Sequence, residues 1–247
     1  MQLIKIDYTL DIGDKEFSYY KSSLMQGVLM EWLDSDYVTE LHSGGLNPYS
    51  QHLEKKEETW HWIINLFSEE AYERIYPKII NQTKIYIRHD DMEIGISDKS
   101  VQTIDLDELM NHYYFNKSPR NITIRFKTPT AFKQKGKYIF YPDIRCILQS
   151  MILKYDAVTV KEGMVQEEML EELVNGTNIV KYHLRSCTFQ MEGVKIPAFT
   201  GEIKLTFHGS QTLVNYIQFL FRFACYSGIG IKASVGMGAI EIQEKGI

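Results

Sequence analysis

Histidine is the side chain best suited to move protons near neutral pH, and the chain carries seven. His61 alternates with Trp60 and Trp62, a strand-like setting that favours a structural role. His42 is different. It follows a helical stretch and leads into Gly44-Gly45-Leu46-Asn47-Pro48, a loop that a flexible substrate edge can reach. Taken alone it is either a proton-transfer group or a loop histidine capping a helix end. No His, Asp or Glu cluster has metal-ligand spacing, and Asp90-Asp91 after Arg88-His89 reads as a solvated hairpin. Cys146, Cys187 and Cys225 are odd in number, widely spaced and lack a C-x-x-C pair. They point to reduced thiols rather than a zinc site or disulfide framework.

A second group is the glycine-rich segment 226–238, with Gly228, Gly230, Gly236 and Gly238 among apolar or small residues. Glycine permits positive φ and close backbone approach, and successive exposed N–H groups can cradle phosphate oxygens. Lys232 and Ser234 would add a charge and a hydroxyl. The spacing G-x-G-x5-G-x-G, between a helix and a strand, excludes a dinucleotide-binding fingerprint, and no Gly-Lys-Ser/Thr run makes a Walker loop. A glycine hairpin packed under the last strand explains the segment equally well.

These residues need a scaffold. At 247 residues the chain is long enough for one large domain or two small ones with real cores. No apolar run approaches a membrane span, no signal-peptide pattern opens the chain, and the expected location is the cytoplasm. The net charge of −5 is unevenly spread. Residues 1–117 hold 11 basic and 21 acidic side chains, residues 118–247 hold 16 and 11, and 118–145 alone holds seven basic residues and one acid, Asp143. That asymmetry fits a polyanion partner or a solvated charged surface.

The elements run as follows. Residues 3–10 alternate as a strand, 22–33 form a helix with Leu24, Val28, Leu29 and Trp32 at helical spacing, and 41–50 read as a loop. A strand over 59–67 precedes a helix over 69–79 capped by Ser68. Strands at 84–87 and 92–96 and a short helix after Asp105 give roughly β-α-β-β-α-β. The second half repeats this outline. Strands at 121–127 and 138–141 come first, with a helix at 144–154 opened by Pro142-Asp143 and a Glu-rich helix at 166–174. Strands at 179–190 and 202–207, a helix at 211–225 capped by Ser210 and a strand at 239–243 follow. The fold class expected is α+β: two tandem ferredoxin-like domains, 1–117 and 118–247, of the kind whose sheets serve as RNA-binding platforms.

The segment Gly-Ile-Gly-Ile-Lys-Ala-Ser-Val-Gly-Met-Gly at 228–238 closely resembles the C-terminal signature of the CRISPR repeat-processing endoribonuclease family. Phe126-Lys-Thr-Pro-Thr-Ala-Phe-Lys133 followed by Tyr141-Pro142-Asp143 resembles the start of that family's second domain. The stretches 196–201 and 207–209 resemble later segments. Residues 30–42, followed by Asn47-Pro48-Tyr49, resemble the branch found in type III-A systems.

The resemblance implies cutting of a repeat-containing transcript (pre-crRNA) within each repeat, with no metal and no cofactor. The ribose 2′-OH attacks the adjacent phosphate, leaving a 2′,3′-cyclic phosphate and a 5′-OH. Such a site needs a base, an acid and donors for the charge that builds on phosphate. His42 matches the family's catalytic histidine. The family's helix tyrosine and its lysine after the histidine are missing, with Met30 near the first position and no lysine following His42. Tyr49, Lys21 and Lys232 are the possible substitutes. RNA contact is expected on the second domain, from Arg125, Lys127, Lys133, Lys135 and Lys137 with Phe132 and Tyr138 as stacking surfaces. The glycine wall Gly228, Gly230, Lys232, Ser234, Gly236 and Gly238 joins them. Arg222 is expected either to face the RNA or to pair with an acid. Product hand-over to a type III-A effector complex, a monomer or homodimer, and no membrane partner complete the expectation. The rivals are a non-catalytic RNA-binding subunit of a CRISPR effector complex and an unrelated two-domain RNA-binding protein.

Overall fold

The first strand, β1 (Gln2–Asp11), sends Ile4, Ile6, Tyr8 and Leu10 to one buried face, as its alternation requires. A computed structural model of the chain, describing residues 1–159, 167–191 and 193–243, places β1 at the centre of an antiparallel sheet. Its partners are β2 (Tyr49–Lys56), β3 (Thr59–Leu66), β4 (Lys84–Ile87) and β5 (Met92–Asp105), in the order β2-β3-β1-β5-β4. The helices α1 (Ser22–Trp32), α2 (Ser35–Ser43), α3 (Glu69–Arg74) and α4 (Tyr76–Ile79) belong to this half. Met25, Leu29, Tyr37, Ala71 and Ile79 from them join Ile6, Tyr8 and Trp62 in one apolar core. Ser68 caps α3 as expected, accepting from the Ala71 amide at 3.0 Å.

The second half builds a four-stranded sheet of order β11-β6-β10-β9. Its strands are β6 (Asn121–Thr130), β9 (Thr177–Met191), β10 (Val194–Phe207) and β11 (Ile240–Gln243), while β7 (Phe132–Gln134) and β8 (Lys137–Ile139) form a small separate hairpin. Its helices are α6 (Ile144–Thr159), α7 (Glu167–Asn175) and α8 (Gln211–Ser227). Helix α8 is capped by Ser210, which accepts from the Leu213 amide at 3.2 Å. At the start of α6 the cap is the Asp143 carboxylate, 2.8 Å from the Cys146 amide. Both sheets follow the ferredoxin-like order, with β4 an added edge strand hairpinned to β5 in the first. Residue 166, the first of the expected Glu-rich helix, lies outside the described residues.

The two halves share apolar contacts. Leu3 and Phe67, with Leu106 and Leu109 from α5 (Leu106–Tyr113), belong to the same core as Ile147, Phe219 and Phe223. The Phe67 and Phe223 rings meet edge-on at 5.8 Å.

Two expectations fail in the first half. The stretch expected as a loop, 41–50, contains the end of α2 and the start of β2. Helix α2 exists because Tyr37 and Leu41, four residues apart, reach the core together. Strand β2 escaped notice because it is covered on both faces, with Tyr49, Ser50, Gln51, His52 and Leu53 all buried. Three of those five are polar, so no alternation survives in the sequence. Among the described residues, no helix is long and apolar enough to cross a membrane.

Candidate active site

Because α2 runs through Ser43, His42 stands in a helical last turn with its side chain exposed. It lies on a cleft of about 490 Å³ built from segments far apart in sequence. Helix α1 supplies Ser23 and Gln26, β2 supplies Tyr49, α6 supplies Lys154, and the glycine segment supplies Lys232 and Ser234. Among the described residues, no carboxylate lines this cleft and His42 is its sole imidazole.

The walls are tied together. The Asn47 side-chain amide donates to the Ser234 hydroxyl at 2.9 Å, joining the loop after His42 to the glycine segment. The buried Gln51 amide donates to the carbonyls of Ser22 at 2.9 Å and Ser234 at 3.2 Å, and accepts from the Trp62 indole at 2.9 Å. Gln51 therefore pins α1 and the glycine segment to one point. Tyr49 is 1% exposed, and its hydroxyl sits beside Gln26 and Ser234 without completing a hydrogen bond in this geometry. Burial pushes its phenol up to about 12, and the neighbouring Gln26 and Ser234 only partly oppose that. Tyr49 is thus a neutral donor, unsuited to act as a base.

The glycines have a packing role. The N–H of Gly228 goes to the Ala224 carbonyl, that of Gly230 to the Ser150 hydroxyl, and that of Gly238 to the Pro129 carbonyl. Those three amides are occupied inside the fold and are not an open phosphate cradle. Gly236 has φ +117°, and a Cβ there would sit 2.3 Å from the Ser22 Cβ on α1. Close approach between the two halves demands that glycine. What the segment offers the cleft is Lys232, exposed and itself at φ +59°, and Ser234.

The other expected residues scatter. Lys21 precedes α1 and pairs with Asp90, away from this cleft. Lys133 and Lys137 flank the β7–β8 turn, which holds Lys135 in the left-handed region. Lys133 sits 5.7 Å over the Tyr138 ring, whereas Phe132 is buried in the core and offers no stacking face. The Arg222 guanidinium packs 4.6 Å over the Tyr113 ring. Arg125 and Lys127 line a separate cleft of about 780 Å³ between the halves. There Lys127 pairs with Glu54, and Arg125 lies 4.0 Å from Glu202. Burial raises the Glu54 carboxyl, but the His52 ring and the Lys127 ammonium outweigh it and hold the group far below the ordinary carboxylate range. His61 is structural, its Nδ1 2.7 Å from Asp7. Among the described residues, no group of three His, Cys, Asp or Glu side chains is placed to hold a metal ion.

Sequence reasoning passed over Lys154. Its side chain is 6% exposed, and it donates to the carbonyls of Ser227 and Gly228, each at 3.0 Å. The signal was present. Ile147, Met151 and Lys154 fall on one helical face, so the lysine interrupts an apolar stripe.

Residues 124–240 match the family model for the CRISPR-associated endoribonuclease Cas6. The Cas6 endoribonuclease of Streptococcus thermophilus is 32% identical over 219 residues, 89% of this chain and 90% of that relative. The chain belongs to the CRISPR-associated endoribonuclease Cas6 family. It is therefore an RNA-binding endoribonuclease of a CRISPR system. The Cas6 endoribonuclease of Mycobacterium tuberculosis strain CDC 1551 / Oshkosh is 33% identical over 222 residues, 89% of this chain and 70% of that relative. Among solved structures, the Cas6 (TTHA0078) product complex superposes with a TM-score of 0.82 at 20% identity. That likeness covers 99% of this chain and 100% of that one. It shows the same tandem ferredoxin-like fold.

Proposed function

We propose that the enzyme cuts CRISPR repeat transcripts within each repeat, by metal-independent attack of the ribose 2′-OH on the adjacent phosphate. The ends left are a 2′,3′-cyclic phosphate and a 5′-OH. One observation carries the reading: the His42 cleft joins an imidazole, a neutral phenol, serine hydroxyls and two lysines, with no carboxylate among the described residues. Such a lining attracts a phosphodiester and offers a cation no carboxylate ligand. His42 exchanges the proton that the reaction moves. Tyr49 donates from its neutral hydroxyl, and Lys232 and Ser234 hold the phosphate from the glycine segment. Lys133, Lys135 and Lys137 track the flanking backbone, and Arg125 and Lys127 serve RNA only where it displaces their acidic partners. Solved structures of the same fold include a Cas6 product complex and a Cas6 substrate mimic complex.

The division into 1–117, carrying His42, and 118–247, carrying the basic face, is part of the same proposal. So is the type III-A assignment, supported by the stretch 30–42, with release of the product to an effector complex. The test is incubation with the cognate repeat RNA in EDTA. One cut per repeat is expected, lost in His42→Ala while RNA binding persists. An EDTA-sensitive wild type, or full activity in His42→Ala, would refute the mechanism. Binding without cleavage by the wild type would instead favour a non-catalytic role.

A further inference from the structure

Lys154 is the most unusual charge in the molecule. Three N–H bonds of an ammonium normally reach water or a carboxylate. Here two reach the Ser227 and Gly228 carbonyls, and among the described residues no carboxylate acts on it. Ser227 ends α8, so the ammonium sits at the negative end of that helix. That contact caps a helix, but a cap does not require full burial. Lys154 lines both the His42 cleft and a smaller cavity of about 190 Å³ beside β7. Among the described residues, the titratable groups sharing those two spaces are His42, Tyr49 and Lys232 on one side, Lys133 and Cys146 on the other. None brings a negative charge at neutral pH. Burial pulls the Lys154 amine down to about 7, and among the described residues no carboxylate offsets it.

An ammonium held in such a place is incomplete until an anion arrives. We propose that Lys154 contacts the scissile phosphodiester in the His42 cleft and stabilises the extra negative charge that builds on its non-bridging oxygens. This rests on the cleavage reading above. In that step the bond from the 2′-oxygen to phosphorus forms and the bond from phosphorus to the 5′-oxygen breaks. One proton leaves the 2′-OH and one reaches the 5′-oxygen. Lys154 exchanges none, and its charge is constant through the step. The positive charge that this sequence lacks after His42 is thereby supplied from the other half of the molecule, by a rigid helix rather than a loop. Its fixed carbonyl contacts orient the ammonium in advance, so little reorganisation opposes the transition state.

The experiment compares wild type, Lys154→Met and Lys154→Arg in single-turnover cleavage of the cognate repeat. Affinity is measured on the same RNA carrying a 2′-deoxy nucleotide at the cut site, and thermal melting checks folding. Lys154→Met should slow cleavage about 100-fold or more, the effect of removing one preorganised donor, with affinity changed by less than about threefold. Lys154→Arg should recover much of the rate. It should also move the alkaline decline of the free-enzyme pH profile upward, because a guanidinium stays charged where the buried amine does not. A Lys154→Met enzyme cutting at the wild-type rate would overturn the inference. If that variant melts low and binds poorly, Lys154→Arg decides: an alkaline limb identical to wild type means a cap and nothing more. A wild type that never cuts the repeat overturns the cleavage reading as well, whereas fast cutting by Lys154→Met overturns this inference alone.

Discussion

Two clefts divide this molecule, and the larger one is the poorer candidate for catalysis. The cleft between the halves measures about 780 Å³ and displays Lys55, Lys56, Arg125, Lys127 and Arg185. It also contains Glu54, Glu202 and Glu241, and the carboxylates take up much of the positive charge. The His42 cleft, at about 490 Å³, has fewer cations but, among the described residues, no acid to answer them. A count of basic residues thus misjudges where a polyanion is held most tightly. Unanswered charge near a dry wall matters more than total charge in a wet, mixed groove. The second half is basic overall, yet its most consequential lysine lies within an apolar helix face rather than in the basic run 118–145.

The contrast can be broken or sharpened in several ways. The largest effect is expected for His42→Ala, with cleavage falling by about 10³-fold, near 4 kcal/mol in activation free energy, and RNA affinity nearly unchanged. Single-turnover kinetics beside a binding titration measure it; comparable losses in both would mean His42 only binds. Next comes Gly236→Ala, which should cost about 3 kcal/mol of folding stability, since the added Cβ meets Ser22 and the positive φ strains alanine. Denaturant unfolding tests it, and a stable variant that binds RNA poorly would return that glycine to the phosphate wall.

Glu54→Gln should cost about 2 kcal/mol, less than breaking a wholly buried pair, because Lys127 keeps part of its side chain in water. The sign follows from the depressed Glu54 carboxyl. Its stabilisation is fully present above the ordinary value of 4.5 and fades as pH falls toward the folded titration. The burial-lowered His52 weakens the fold in the same direction, as a proton is bound more readily after unfolding. Acid unfolding should therefore be steeper in wild type than in Glu54→Gln, and parallel curves would remove the pair from the stability account. The same variant should bind RNA with a steeper salt dependence, because its larger cleft becomes cationic. The smallest effect belongs to Lys133→Ala with Lys135→Ala. The logarithmic slope of affinity against salt should flatten by about 1 to 2, and cleavage of bound RNA should hold its rate. An unchanged slope would move the RNA path off the β7–β8 hairpin.

Legibility in the sequence was uneven, for physical reasons. Strand β1 showed itself because one of its faces is dry and the other wet. Helices α3 and α8 declared their starts through Ser68 and Ser210, whose caps are local contacts that need no tertiary partner. Strand β2 stayed hidden because polar Ser50, Gln51 and His52 are buried between elements that only the fold brings together. The glycine segment was visible as an exception in composition, but its meaning was not. Whether Gly236 faces a phosphate or Ser22 depends on where α1 lies.

By itself the sequence determined the tandem α+β plan, the basic second half, the family and the singling out of His42, since all four rest on local pattern or on residue-by-residue resemblance. Tertiary structure alone decided that Tyr49 is a buried, neutral phenol and that Lys127 is paired with Glu54. It also put Lys154 on the wall of the His42 cleft. A side chain's charge state and reach depend on burial and on partners across the fold. Those partners lie tens to more than a hundred residues away along the chain, where no periodicity or spacing can register them.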